Sequence, residues 1–319
     1  MDYQILTDAD IHRLLDMKTV IEIIEESFLQ QSQGNFSHPP RIYIEGGKGA
    51  LAFTVGASPN QGQGLGFRVY SMFKSAPRKN HQLVAVFDSE NGAFKGAVIG
   101  NAIGDLRTGA IDGVAIKYLA RPDAKVLGML GTGVQAVTQL QAAVEVRDFE
   151  KIMIYSRDPE NRSRFTNRMS MDLGRDILAV DSSQAVVEQA DVLICATTSP
   201  QPVFDASWLK PGTHISTIGP KFVQSHELPI NVAVQSDLVS TDSLAQIEDF
   251  GEEYYLHSHV PLSGYIPLSD IVAGKHPGRT NPQQQSLFCS TGLAGTEVAV
   301  ASQAFALNQI QKDSSQQAA

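Results

Sequence analysis

Two glycines and a serine–arginine pair carry the first chemistry legible in this chain. Gly131 and Gly133 lie in the stretch Val126 to Ala136, V-L-G-M-L-G-T-G-V-Q-A. There an apolar run of strand type passes into G-x-G-x-x-A and then, over Val137 to Val146, into apolar residues at helical spacing. A strand that turns sharply into a helix leaves unpaired backbone N–H groups and the positive end of the helix dipole at the turn. Glycine lets a pyrophosphate approach that backbone, and the small third residue, Ala136, lets helix and strand pack closely. A second strand, Lys151 to Tyr155, follows and ends in Ser156 and Arg157. Ser156 stands 20 residues beyond Ala136, where this motif places the group that meets the adenosine ribose. The chemistry implied is dinucleotide binding.

The elements around this turn read as two bodies. A chain of 319 residues is long for one core and points to about two domains. With 42% hydrophobic and 18% charged residues it can bury a sizeable core. A net charge of −9 argues against nucleic acid or anionic membranes as partners. No apolar run approaches the ~20 residues of a membrane span. Cys195 and Cys289 sit far apart in apolar or small-residue surroundings, which fits buried thiols in a reducing compartment. The expected location is the cytoplasm.

Taken in order, Thr7 and Asp8 open a first helix. A second runs from Met17 to Gln33, with Ile21, Ile24, Phe28 and Leu29 on one face, and Gly34 stops it. Extended segments follow at Arg41–Glu45, Leu51–Val55, Gly66–Phe73, Leu83–Asp88 and Phe94–Ile99. Turns at Gly46-Gly47, Ser58-Pro59-Asn60 and Asn91-Gly92 separate them. Strands this close, before any βαβ pattern, predict a mostly antiparallel sheet in a domain of its own. A helix from Asp105 to Tyr118 leads to the glycine turn. Short apolar segments then continue the α/β alternation: Ile177–Val180, Ser183–Ala190, Val192–Ala196, Thr213–Ile218 and Val232–Ser236. Ile247–Gly264 is irregular, and Leu268–Gly274 reads as a short helix. Ser290–Ala306 reads as a long one, and the polar tail Gln311–Ala319 as disordered. The fold class is α/β: a Rossmann doubly wound parallel sheet plus a mostly antiparallel α+β domain.

The motifs D-L-R-T-G-A, K-Y-L-A-R-P-D, L-G-T-G-V-Q-A, I-S-T-I-G-P-K with a following E-L, and F-C-S-T-G-L-A occur in that order. Together they resemble the ornithine cyclodeaminase/μ-crystallin family from about His38 to Ala306. The resemblance implies a homodimer. Residues 1–118, joined by a final helix at about 297–319, would form the substrate and dimerisation domain, and residues 119–296 the Rossmann domain. It implies that Arg107 binds the substrate carboxylate beside the nicotinamide, with Arg41 as a second contact and Thr291 as a third. A guanidinium fork suits that task because it holds both carboxylate oxygens and so fixes the reacting carbon. Val134, Gln135, Thr197, Ile218 and Ser290 join Gly131, Gly133, Ser156 and Arg157 as expected cofactor contacts. NAD-preferring members carry aspartate where this chain has Ser156 and Arg157. Aspartate repels a 2′-phosphate, whereas serine plus arginine can bind one, so NADP(H) is the expected cofactor, with NAD(H) also accepted.

Two positions depart from the family. Arg68 stands where many members have a substrate-contacting lysine, and Lys221 stands where cyclodeaminases and alanine dehydrogenases have a catalytic aspartate. Both are read as catalytic candidates. No counterpart of a further cyclodeaminase glutamate is found near Leu51–Thr54. His257 and His259 read as a solvated loop and not a metal site, Glu252 and Glu253 as surface. Ser183 and Ser199 lack the setting of a nucleophile. The function implied is an NAD(P)H-dependent reductase of small imino or keto acids related to amino acids. The alternatives are an ornithine cyclodeaminase, or a non-catalytic binding protein like μ-crystallin.

Overall fold

The computed structural model describes residues 3–58, 64–73 and 82–317, so the expected turn at Pro59-Asn60 lies outside the described residues. The chain forms two compact units, Met1–Arg107 with Leu293–Ala319, and Thr108–Gly292. The first boundary falls inside a continuous helix, earlier than the expected 118, and the second falls ahead of the expected 297.

The first unit contains β1 (Gln4–Thr7), α1 (Asp8–Leu14), α2 (Met17–Ser32), β2 (Ile42–Gly46), β3 (Gly49–Ser58), β4 (Gly64–Ser71), β5 (Gln82–Asp88) and β6 (Phe94–Gly100). From it starts α3 (Ala102–Leu119). The sheet order is β1-β6-β5-β4-β3-β2, with β1 parallel to β6 and the other pairs antiparallel. Strand β1 was not expected. It is four residues long with only Leu6 buried, too short for an alternating pattern to stand out.

Thr7 caps α1, its N–H and hydroxyl both donating to Asp10 Oδ2 at 3.0 and 2.8 Å. Asp8 reaches further, accepting from the N–H groups of Asn101 and Ala102 at 2.8 Å each. This cap from a distant residue starts α3 at Ala102 and not at Asp105.

A C-terminal helix, Thr296–Gln317, packs across β3, β4 and β5 and against α2. The helix expected from Ser290 begins later because Gly292 and Gly295 both sit at φ +84°, which breaks helical geometry. The tail expected to be disordered from Gln311 is helical to Gln317. Side-chain bonds from Gln309 to Asp313 (2.8 Å) and from Ser314 to the Ile310 carbonyl (2.9 Å) support its last turns.

The second unit continues with β7 (Val126–Leu130), α4 (Val134–Val146), β8 (Lys151–Tyr155), α5 (Pro159–Leu173), β9 (Ile177–Ala179), α6 (Ser183–Val187), β10 (Val192–Cys195) and β11 (His214–Thr217). A hairpin of β12 (Lys221–Phe222) and β13 (Ser225–His226) follows. Then come α7 (Ile230–Gln235), β14 (Leu238–Thr241), α8 (Leu244–Phe250), β15 (Ile266–Pro267), α9 (Leu268–Val272) and β16 (Ser286–Cys289). The segment Val232–Ser236, expected as a strand, lies mostly in α7, a short apolar run being readable either way.

Eight parallel strands form the order β15-β14-β16-β11-β10-β7-β8-β9. Both faces are covered: Val192 and Ile194 of β10 pack into one apolar cluster, Leu193 and Cys195 into the other. From β7 the chain moves to β8 and β9, then returns to β10 on the other side of β7. That reversal opens a crevice beyond the C-terminal ends of β7 and β10.

Candidate functional site

The glycine turn occupies that crevice. Gly131 follows β7 at φ +115°, where a side chain would strike the Ala196 carbonyl. Gly133 is the N-cap of α4, and nothing lies within 4 Å of the point a Cβ would occupy. Val134 is 72% exposed, Gln135 is half-buried beside it, and Ala136 is fully buried where helix and strand meet. Open space over the N-terminus of a 13-residue helix fits a dinucleotide pyrophosphate.

Ser156 and Arg157 follow β8. The Ser156 hydroxyl donates to the Asp158 carbonyl at 3.2 Å, and Arg157 is exposed. Asp158, the acidic group nearest in sequence, caps α5. Its carboxylate accepts from the N–H groups of Glu160 (2.9 Å) and Asn161 (3.1 Å) and from the Asn161 side chain (2.7 Å). Its charge is therefore partly spent on the helix.

The other expected cofactor and substrate residues of this unit line neighbouring strand ends. Thr197 follows β10, Ile218 follows β11, and Ser290 and Thr291 follow β16. Ile218 N–H donates to the Cys195 carbonyl at 2.9 Å, and Ser290 N–H to the Thr217 carbonyl at 3.2 Å. The Thr291 hydroxyl donates to Asp242 Oδ1 at 2.6 Å and its N–H to the same oxygen at 2.8 Å. Gly292 N–H takes Oδ2 at 2.7 Å. Lys221 opens the small hairpin, with Nζ donating to the Ile218 carbonyl at 3.3 Å. Behind these loops the buried Glu227 accepts from Thr197 N–H and hydroxyl, both at 2.7 Å. It also accepts from the Thr217 hydroxyl (3.1 Å), Ile218 N–H (3.2 Å) and Gly219 N–H (2.6 Å).

In the first unit, Arg68 of β4 and Arg107 of α3 share the buried Glu297 of the C-terminal helix. Arg68 Nη1 stands 2.7 Å and Arg107 Nη2 3.2 Å from Glu297 Oε1. Arg68 also donates to Gln82 at 2.6 Å and lies over the Tyr70 ring at 4.4 Å. Among the described residues Arg107 Nε, Arg107 Nη1 and Glu297 Oε2 are buried without a hydrogen-bond partner. Burial pulls the Arg107 guanidinium below its usual pKa, with Glu297 opposing and Arg68 and Arg41 adding to the effect. Burial alone would raise the Glu297 carboxyl, but Arg107 and Arg68 hold it below its usual range. Arg41, just ahead of β2, is half-buried and close enough to act on Arg107.

Glu227, Glu297 and Asp242 are the functional-site residues that sequence reasoning missed. Glu227 lies in the E-L already quoted and Glu297 just past F-C-S-T-G-L-A, and a carboxylate in a small-residue, apolar context was the available signal. His257, His259, Glu252 and Glu253 are exposed. No helix among the described residues is long and apolar enough to cross a membrane.

A doubly wound sheet with a glycine turn at its reversal, in a chain that also buries an arginine–carboxylate cluster, defines the class: an NAD(P)-dependent oxidoreductase. Within it, this chain belongs to the ornithine cyclodeaminase/mu-crystallin family, whose model matches residues 1–308. Many solved structures are similar to it, three of them as follows. Delta(1)-pyrroline-2-carboxylate reductase of Thermococcus litoralis, in complex with NADH and L-proline, is 32% identical. That match covers 97% of this chain and 98% of that one, with a TM-score of 0.87. The iminosuccinate reductase of Paracoccus denitrificans, in complex with NAD+, is 27% identical over 97% of both chains, with a TM-score of 0.89. An archaeal alanine dehydrogenase dimer with bound NAD is 26% identical over 98% of both chains, with a TM-score of 0.88.

Proposed function

We propose that this enzyme reduces small imino acids related to amino acids, with keto acids as secondary substrates, and prefers NADPH as hydride donor. One observation carries the reading: buried donors on Arg107 and a buried acceptor on Glu297 stand unfilled in one cluster. An imino acid brings the complement, a carboxylate for an unfilled donor of Arg107 and an N–H for Glu297 Oε2. The ionised Glu297 favours the protonated imine, whose carbon is the better hydride acceptor. Arg41 adds positive charge near the carboxylate. Arg68, held by Gln82, Tyr70 and Glu297, positions Glu297 and keeps it ionised.

Gly131, Gly133, Val134 and Gln135 would hold the nucleotide pyrophosphate, and Thr197, Ile218 and Ser290 the nicotinamide half. When bound, the nucleotide supplies the hydride. NADPH preference is supported by the exposed Arg157 and by the commitment of Asp158 to its helix cap. We place the enzyme in the cytoplasm as a homodimer. Two buried, unpaired cysteines support the former. The exposed apolar residues of β2, Ile42 (50%) and Ile44 (56%), support the latter, as does the dimeric alanine dehydrogenase.

The test is consumption of NADPH with Δ1-pyrroline-2-carboxylate, with iminosuccinate, and with pyruvate plus ammonia. Turnover of at least one imine is expected. Nucleotide binding without any turnover would favour a binding protein.

A further inference from the structure

Two buried carboxylates brace the parallel sheet from opposite ends, and they differ in one respect. Asp191, at the N-terminal edge, accepts from Lys125 N–H (2.7 Å) and Val126 N–H (2.9 Å). It also pairs with Arg121 (2.5 Å) and Lys210 (2.6 Å). Its charge is matched by cations. Glu227, at the C-terminal edge, is fully buried and accepts five hydrogen bonds, all from neutral groups. Among the described residues no cation pairs with it.

A carboxylate whose two oxygens only accept suits the ionised form. Its field reaches its neighbours. The Cys195 thiol and the Tyr255 hydroxyl are both pushed up, first by burial and with Glu227 among the further causes. Gly219 lets the two loops close around it, since a Cβ there would stand 2.4 Å from the Thr197 carbonyl and 2.7 Å from the Glu227 carboxyl.

The direction of the bound nucleotide gives the charge a use. The pyrophosphate turn is at β7 and the ribose position is on β8, to one side. The nicotinamide half must therefore extend to the other side, over the ends of β10 and β11. Those are the loops that Glu227 holds, through Thr197 on one and Thr217, Ile218 and Gly219 on the other.

We propose that Glu227 is a positioning residue for the nicotinamide, setting the spacing of the two loops and placing an unpaired negative charge behind them. A reduced nicotinamide is neutral and an oxidised one cationic, so the charge favours the oxidised form. It equally favours the positive charge that grows on the ring as hydride leaves. The inference rests on the nucleotide reading above.

The test measures the dissociation constants of NADP+ and NADPH by calorimetry for wild type, Glu227→Gln and Thr197→Val. Glu227→Gln removes the charge at constant size, and the NADP+ to NADPH ratio of dissociation constants should rise about tenfold. Thr197→Val removes one donor and keeps the charge, so both constants should rise together and leave the ratio in place. A Glu227→Gln protein that binds both forms with an unchanged ratio overturns the proposal. If Glu227→Gln fails to fold, Thr197→Val and Thr217→Val, which both keep the charge, carry the test. Thr217→Val should behave as Thr197→Val does. Because a Cβ at Gly219 would strike the Thr197 carbonyl first, Gly219→Ala reads loop spacing, and the charge is read by Thr217→Val: a ratio that moves when only a donor is lost overturns the proposal. Wild type that binds neither nucleotide would defeat the nucleotide reading itself, a different failure.

Discussion

Glu297 and Arg107 meet at 3.2 Å through one oxygen and one nitrogen, yet each keeps further buried polar atoms with no partner among the described residues. Leaving a buried donor unfilled costs about 1–3 kcal/mol. A fold that tolerates this at two adjacent side chains is preorganised for a ligand that fills both. Arg107→Lys keeps the charge but loses the fork. The expected loss is about 10²–10³-fold in kcat/KM for every carboxylate substrate, with NADPH affinity held. Glu297→Gln removes the only acidic group that the described ion pairs give Arg68 and Arg107. It should cost about 3–5 kcal/mol of stability on top of its effect on imine turnover. Denaturant titration beside steady-state kinetics separates the two effects. An Arg107→Lys enzyme with wild-type kcat/KM would remove the carboxylate assignment.

Cofactor choice rests on Arg157. A charge-assisted contact to a 2′-phosphate contributes about 1–3 kcal/mol, so NADPH should bind about 5- to 150-fold more tightly than NADH. Arg157→Ala should erase most of the difference, and Ser156→Asp should invert it by restoring a ribose acceptor that repels the phosphate. Calorimetric titration of the two nucleotides decides this. Equal wild-type affinities would leave the serine–arginine pair without a role.

Asp112 of α3 and His214 of β11 make opposite demands on pH. Burial, opposed by Ser216, raises the Asp112 carboxyl to about 7. Burial, helped by Arg279 and Arg147, lowers the His214 imidazole to about 3. A carboxyl raised in the folded state contributes stability that is present below its unfolded value of 3.8 and lost as pH rises to about 7. A histidine lowered in the folded state contributes stability that is present above 6.5 and lost as pH falls toward 3. The two slopes oppose each other between these limits. Asp112→Asn removes the first, so relative to wild type it should gain about 2–4 kcal/mol on going from pH 4 to pH 7.5. Urea unfolding at both values measures the difference. An Asp112→Asn gain that is the same at both would show that Asp112 does not titrate in this range.

The nucleotide half of the fold was the more legible part, for physical reasons. Strands buried on both faces must be apolar through their centres, so Val126–Leu130 and Lys151–Tyr155 stand out from their surroundings with the bounds observed. The glycine turn must be glycine where φ is +115°. The start of α3 was misread because its cap, Asp8, lies far away in sequence and leaves no local mark. Glu227 and Glu297 were passed over for a related reason. A buried carboxylate is identified by the donors that surround it, and those come from strands, loops and helices distant along the chain.

Lys221 carries the last prediction, that this enzyme does not efficiently convert ornithine to proline. It opens the hairpin just beyond β11, half-buried, with Nζ on the Ile218 carbonyl. The family resemblance sets it where cyclodeaminases are expected to carry a catalytic aspartate. Ornithine brings one carboxylate and two amines, which a cation in that catalytic role would repel. At 4–6 Å and an effective dielectric near 20, each such contact costs about 3–4 kcal/mol before screening. A lysine also cannot stabilise a cationic iminium or accept a proton from an ammonium group as a carboxylate does. It suits a second anionic or carbonyl group on the substrate instead. Wild type should therefore show negligible proline formation from ornithine and NAD, and measurable imine reduction with NADPH. Lys221→Asp should gain ornithine turnover while losing at least about tenfold in imine reduction, by the loss of one charge-assisted contact. Amino-acid analysis of the ornithine reaction, beside nucleotide absorbance in the imine reaction, reads both. Strong wild-type conversion of ornithine, or a Lys221→Ala enzyme that matches wild type on its best substrate, would leave Lys221 with no part in the chemistry.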